Sequence, residues 1–214
     1  MKKKLILFAL VLSILPSVLA INLDINEESS NNVMIPEINK PAIFNLNITN
    51  LGLSDHFQFY NLLGFGMAPK GTVQINAGET KKIQLMIFPR EGLDYRGFQT
   101  FKYFIRGEDT TEISQDITIK IINLKDAFEI GAEDLNLESN SFEVYIHNKE
   151  NLNFSEINVK FSSAFFDFEE KFALGPNERK NFNIQLNKED FKKLLAGFYT
   201  LNSEISVDNV VINL

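Results

Sequence analysis

Phe44-Asn45-Leu46-Asn47-Ile48-Thr49-Asn50 decides the fold. Apolar Phe44, Leu46 and Ile48 alternate with polar Asn45, Asn47 and Thr49, and Asn50-Leu51-Gly52 closes the run with turn chemistry. Period two places one set of side chains on a core and the other toward solvent, the pattern of a half-buried strand. The same alternation returns at Ile83, Leu85 and Ile87 and at Ile117, Ile119 and Ile121. Turn residues separate these runs at Asn76-Ala77-Gly78, Pro89-Arg90-Glu91-Gly92 and Gly107-Glu108-Asp109. Short strands at this spacing predict a sandwich or barrel.

The second half repeats the first. Phe142, Val144 and Ile146 alternate up to Asn148, as Phe44, Leu46 and Ile48 do up to Asn50. Gly175-Pro176-Asn177-Glu178 precedes Phe182, Ile184 and Leu186, as Ala77-Gly78-Glu79 precedes Ile83, Leu85 and Ile87. Gly97-Phe98-Gln99-Thr100 returns as Gly197-Phe198-Tyr199-Thr200. Three anchors in one order, each about 100 residues on, indicate two copies of one domain. The copies are placed at 22–124 and 126–214, joined at Leu124-Lys125-Asp126 without a Gly/Ser/Pro tract, which predicts end-to-end contact with limited swing. One helix is expected, capped by Asn187, with Phe191, Leu194 and Leu195 on one face and Gly197 as its stop.

Residues 1–20 read as a secretory signal peptide. Lys2 to Lys4 form the basic start, Leu5 to Leu15 the apolar stretch, and Val18-Leu19-Ala20 a cleavage site after Ala20. The alternative is a retained N-terminal membrane anchor, but the apolar run is short of the about 20 residues a spanning helix needs. No second such run follows, so no transmembrane helix is expected in the mature chain.

The chain has 214 residues, a net charge of −7, no cysteine and two histidines. Loss of Lys2, Lys3 and Lys4 makes the charge more negative still. That balance argues against nucleic acid as a partner. Without cysteine there is no disulfide, thiolate metal site or cysteine nucleophile, and the fold must rest on apolar packing.

The repeated elements, Asn50-Leu51-Gly52, Gly78-Glu79-Thr80 and Gly197-Phe198-Tyr199, resemble the immunoglobulin-like repeats of archaeal and bacterial exported proteins, of the cell-adhesion-related bacterial domain or alpha-galactosidase-associated domain type. Gln99 stands where such repeats usually carry tyrosine, and Asn148-Lys149-Glu150 lacks the glycine. The resemblance implies non-catalytic spacer, adhesion or ligand-binding modules, with Tyr199 as a structural tyrosine corner.

Candidate sites are few. Asn47-Ile48-Thr49 and Asn153-Phe154-Ser155 are glycosylation sequons. Ser54-Asp55-His56 invites a catalytic triad, yet strand neighbours point to opposite faces. The paired carboxylates Glu27-Glu28, Glu133-Asp134 and Glu169-Glu170 lack the separation across a cleft that glycoside hydrolysis needs. Asp24, Asn26, Glu27 and Glu28 come nearest to a calcium loop but lack its glycine. Twenty Phe and no Trp make aromatic placement the informative feature. Phe65 and Met67 in one loop, with Phe165, Phe166 and Phe168 in another segment, form a candidate partner patch, unless they pack into the cores or the interdomain contact.

The expectation is therefore an all-β protein of two tandem immunoglobulin-like β-sandwiches after an N-terminal signal peptide helix. Its expected role is that of a non-enzymatic, exported or cell-surface interaction and spacer protein, holding an envelope or surface protein through a sandwich face or edge strand. A carbohydrate-binding accessory module, with a carbohydrate partner, and a periplasm-type chaperone or assembly factor are the alternatives. No catalytic residue, cofactor or metal is expected.

Overall fold

The computed structural model describes residues 21–134, 139–164, 166–187, 189 and 199–214. The expected signal peptide, Phe165, and Phe191, Leu194, Leu195 and Gly197 of the expected helix lie outside these residues. The Asn187 side-chain oxygen does accept the Glu189 N–H at 3.1 Å, the bond of an N-cap. Among the described residues no helix is long and apolar enough to cross a membrane.

Sixteen strands follow in chain order among the described residues: β1 Leu23–Asn31, β2 Val33–Met34, β3 Ala42–Asn50, β4 Asp55–Asn61, β5 Gly66–Ala68, β6 Thr72–Ile75, β7 Thr80–Phe88, β8 Gly97–Arg106, β9 Glu112–Ile121, β10 Phe128–Ala132, β11 Ser141–Asn148, β12 Phe154–Ser163, β13 Phe166–Leu174, β14 Arg179–Gln185, β15 Asn202–Val207 and β16 Val210–Asn213. They form four sheets, ordered β1-β3-β7-β5, β2-β9-β8-β4-β6, β10-β11-β14 and β13-β12-β15-β16. Every pairing is antiparallel except β2 with β9. The first two sheets enclose one apolar core and the last two another, so the chain is an all-β protein of two sandwiches.

Alternation produces this burial directly. On β3, Ala42, Phe44, Leu46 and Ile48 are buried, and Asn45, Asn47 and Thr49 face outward. They are met on one side by β1 and on the other by β7, in register Asn47↔Lys82 and Leu46↔Ile83. Each such large apolar side chain contributes roughly 1.5–3 kcal/mol on burial. In the second core the Phe-rich segment does the same work. Phe161 lies at the centre, 5.9 Å from Phe182 and 6.1 Å from Phe168, ring centre to ring centre.

The repeat visible in the sequence is a repeated hydrogen-bond device. Asn50 is buried at the end of β3, and its amide donates to the carbonyls of Leu53 (2.6 Å) and Ile75 (2.9 Å) while its oxygen accepts the Gly52 N–H (2.9 Å). Asn148, buried at the end of β11, donates to Leu152 and Gly175 (both 2.7 Å) and accepts the Glu150 N–H (3.1 Å). The Asn50 and Asn148 N–H groups then bond the carbonyls of Glu79 and Glu178, each at 2.9 Å. Those two glutamates fold back to accept the N–H groups of Asn76 and Gly175, which closes the turn before β7 and before β14. The left-handed position in each turn is filled by Gly78 (φ 75°) and Asn177 (φ 53°), two residue types that tolerate it. The missing glycine at position 150 is thereby explained. What the device needs there is an N–H, and Glu150 supplies it as Gly52 does.

Candidate functional site

The two sandwiches meet through residues that alternate between both cores. Met34 packs into the first core, whereas its neighbours Val33 and Ile35 pack into the second. β2 runs parallel to the end of β9, where Ile121 faces the first core and Ile122 and Leu124 face the second. Six side chains from these two segments thus sew one core to the other. The Ile122 N–H to Met34 carbonyl bond (3.1 Å) and the Lys120 N–H to Asn32 carbonyl bond (2.8 Å) hold the two segments in register.

A charged clamp flanks this seam. Lys120 on β9 reaches both carboxylate oxygens of Glu150 at 2.8 Å, and the Glu150 side chain is only 10 % exposed. Asn148 holds the backbone of Glu150, so the second sandwich's latch also aims the clamp. Lys40 adds a bond to the Asn153 carbonyl at 3.3 Å.

Beside the seam lies a cleft of about 260 Å³ lined by Glu37, Asn123, Lys125, Ile212 and Asn213. Three elements bound it: the 3-10 turn Pro36–Ile38, the linker turn Leu124–Ala127 and the edge strand β16. Arg96 is bonded to the lining residue Asn123 and uses three of its five N–H donors within the protein. It donates to Asn123 Oδ1 (2.6 Å) and to the carbonyls of Leu93 and Tyr95 (both 2.9 Å), and Glu37 lies 3.8 Å away. Lys125 is exposed at the rim. The cleft therefore presents one solvated cation, two side-chain amides, an acidic group and Ile212 next to a sheet edge. Such an edge offers unpaired backbone donors and acceptors to an incoming strand. Arg90, Arg106 and Arg179 are elsewhere. Arg106 joins Tyr60 and Glu112 on an outer face, where hydrogen bonds from Tyr60 and Arg106 hold the Glu112 carboxyl below its usual range. Arg179 lies over the Tyr145 ring at 3.5 Å.

The described members of the candidate partner patch pack into or against the cores instead of forming an exposed surface. Phe65 is 6 % and Phe166 8 % exposed, each in a core, and Met67 and Phe168 are half-buried and packed against the cores. Phe65 packs tilted against Phe101 at 5.2 Å and Phe166 meets Phe142 edge-on at 4.9 Å. The reason is the open side of each sandwich. β5 brings its loop across to pair with β7 in the first, and Phe168 and Phe172 of edge strand β13 turn onto Phe182 of β14 in the second. Among the described residues Phe98, Tyr95 and Tyr199 are the exposed aromatics, at 65 %, 49 % and 44 %.

Asn47 lies mid-strand between Asn26 and Lys82, with its side-chain oxygen buried and unbonded. Asn153 is exposed in the turn that leads into β12. Tyr199 sits three residues before β15 and is 44 % exposed, whereas Gln99 lies within β8 with its side-chain oxygen buried and unbonded. The Ser54 hydroxyl accepts the Ala77 N–H, and His56 pairs with Glu108 instead, so Ser54-Asp55-His56 forms no triad. Asp24 and Asn26 bond each other on the outer face of β1, and Glu28 pairs with Lys82. The seam and the clamp were missed by sequence reading. Their one visible signal was the difference between the copies, a charged Glu150 where the first copy has Gly52.

No protein-family model matches the chain, and no curated protein matches it. Among solved structures it is similar to the YadV chaperone, at 12 % identity over 90 % of this chain and 99 % of that one, with a TM-score of 0.31. It is similar to the Pseudomonas aeruginosa CupB2 chaperone, at 10 % identity over 88 % and 98 %, TM-score 0.30. It is also similar to a carbohydrate-binding module of the β-sandwich superfamily, at 8 % identity over 92 % and 96 %, TM-score 0.25.

Proposed function

We propose that this chain is an exported, non-enzymatic interaction and spacer protein, built of two immunoglobulin-like sandwiches that hold a protein partner at a fixed distance and orientation. The observation that carries this reading is the seam. Val33 and Ile35 from the first half lie in the core of the second, and the half-buried Lys120–Glu150 pair locks the same joint. Linked domains ordinarily swing unless their interface is large and apolar. A joint whose side chains belong to both cores suppresses that swing, which serves a spacer or a two-domain cradle and is superfluous in two independent modules. The partner's route of approach in this reading is strand addition at the edge of β16 that no described strand covers, beside the cleft.

A carboxylate-anchoring cradle of the assembly-factor kind is the weaker alternative, because Arg96 gives three of its five N–H donors to Asn123, Leu93 and Tyr95 and turns Nη2 toward the Glu37 carboxylate. Co-sedimentation of the purified protein with isolated host envelopes, untreated or protease-treated, tests the reading. Binding abolished by protease supports it. Binding that survives protease points to a glycan or lipid and overturns the protein-partner reading, and no binding at all counts against surface attachment.

A further inference from the structure

At the end of the first sandwich away from the seam, the β8–β9 turn folds over the start of β4 and brings three metal-ligating side chains together. The ligand atoms of Asp55, His56 and Glu108 all lie within 4.8 Å of one another, and His56 Nδ1 is 2.9 Å from Glu108 Oε1. Two tetrahedral ligands bound about 2 Å from one ion stand about 3.3 Å apart, close to the His56–Glu108 spacing.

The group is assembled by the fold rather than by sequence proximity. The Asp55 carboxylate is held by the N–H groups of His56 (2.7 Å) and Glu108 (3.3 Å), which ties β4 to the turn. It also lies so close over Gly107 that a Cβ there would fall 2.4 Å from Asp55 Oδ2. Only glycine lets that carboxylate reach this place beside the imidazole. Asp109 approaches the same glycine, and its Oδ1 accepts the hydroxyl and N–H of Thr111. One imidazole nitrogen with two carboxylates, partly open to water, suits a borderline divalent cation such as zinc. The second histidine provides an internal contrast, since among the described residues His147 pairs with one carboxylate, Glu129, at 3.8 Å.

We propose that Asp55, His56 and Glu108 form a solvent-open site for one divalent transition-metal ion, with zinc as its reference ligand and water completing the coordination. The sequence reading expected no metal, because it weighed Asp55-His56 only as part of a triad with Ser54 and had no means of placing Glu108 beside them.

The test is calorimetric titration of the full protein with zinc chloride, for the wild type and for His56→Ala, Glu108→Gln and His147→Ala. Expected is one saturable site in the wild type, kept in His147→Ala and weakened about 10-fold or more in His56→Ala and in Glu108→Gln. Imidazole resonances of the wild type, assigned with His147→Ala, give a readout independent of the site variants' folding: zinc is expected to shift His56 and leave His147 in place. Absence of saturable binding overturns the proposal. So does binding unchanged in His56→Ala, or a zinc-induced shift confined to His147.

Discussion

Replacing Asn148 by Ala is expected to destabilise the second sandwich more than replacing Asn50 by Ala destabilises the first. Each substitution strips three hydrogen bonds from a buried amide, two to carbonyls and one from a backbone N–H. A hydrogen bond lost with its partner left buried costs roughly 1–3 kcal/mol. The partners differ in access to water. Around Asn148, the Leu152 carbonyl and the Glu150 N–H are buried, whereas around Asn50 only the bond to the Ile75 carbonyl is. Water can replace the amide at Leu53 and Gly52 but not at Leu152. The expected losses are about 3–5 kcal/mol for Asn148→Ala and about 2–3 kcal/mol for Asn50→Ala, set against the roughly 5–15 kcal/mol stability of a domain. Urea denaturation followed by far-ultraviolet circular dichroism measures the sum. Native-state hydrogen exchange assigns each loss to its sandwich. Losses below about 1 kcal/mol, or an order reversed between the two variants, would refute the reading of these asparagines as the latches of the fold.

Glu150→Gln is expected to cost about 1–3 kcal/mol, less than a fully buried pair because Lys120 keeps access to water; it should also widen the inter-sandwich distance distribution measured between spin labels, and an unchanged distribution would leave the clamp no orienting role. Phe166→Ala should cost about 3–5 kcal/mol, whereas Phe98→Ala at an exposed position should stay within about 0.5 kcal/mol, both read from urea midpoints. Gly131→Ala should destabilise by about 1–2 kcal/mol, because a Cβ would fall 2.3 Å from the Tyr145 ring, which Arg179 also packs against. Burial, with the nearby Glu27 charge, pushes the Tyr103 hydroxyl up to about 12. Its neutral form is therefore favoured by the fold. That contribution is complete below pH 10, where the unfolded phenol is neutral too, and is lost as pH rises from 10 toward 12, by about 2–3 kcal/mol in full. Tyr103→Phe should remove this alkaline step from the pH dependence of the urea midpoint.

Much of the architecture was legible because strand side chains repeat every two residues, so Phe44, Leu46 and Ile48 announce their own burial wherever they lie in the fold. Turn residues are equally local. Gly78 and Asn177 signal their left-handed backbone, and Asn50 and Asn148 the ends of their strands, within windows of a few residues. The two copies were visible because the same local device, asparagine latch and glutamate-closed turn, occurs twice in one order. Tertiary structure alone decided which face of the aromatic segment was covered. Parity separates Phe165 from Phe166 and Phe168, but it does not say whether a second sheet or solvent lies opposite. The seam was hidden for the same reason. Val33, Met34 and Ile35 form an unbroken apolar run, and only the arrangement of two sheets assigns alternate members to different cores. Lys120 with Glu150, and His56 with Glu108, are pairs 30 and 52 residues apart. Sequence spacing carries no information about such contacts, since the distance between two side chains from different turns is set by how the sheets pack, not by the residues that lie between them.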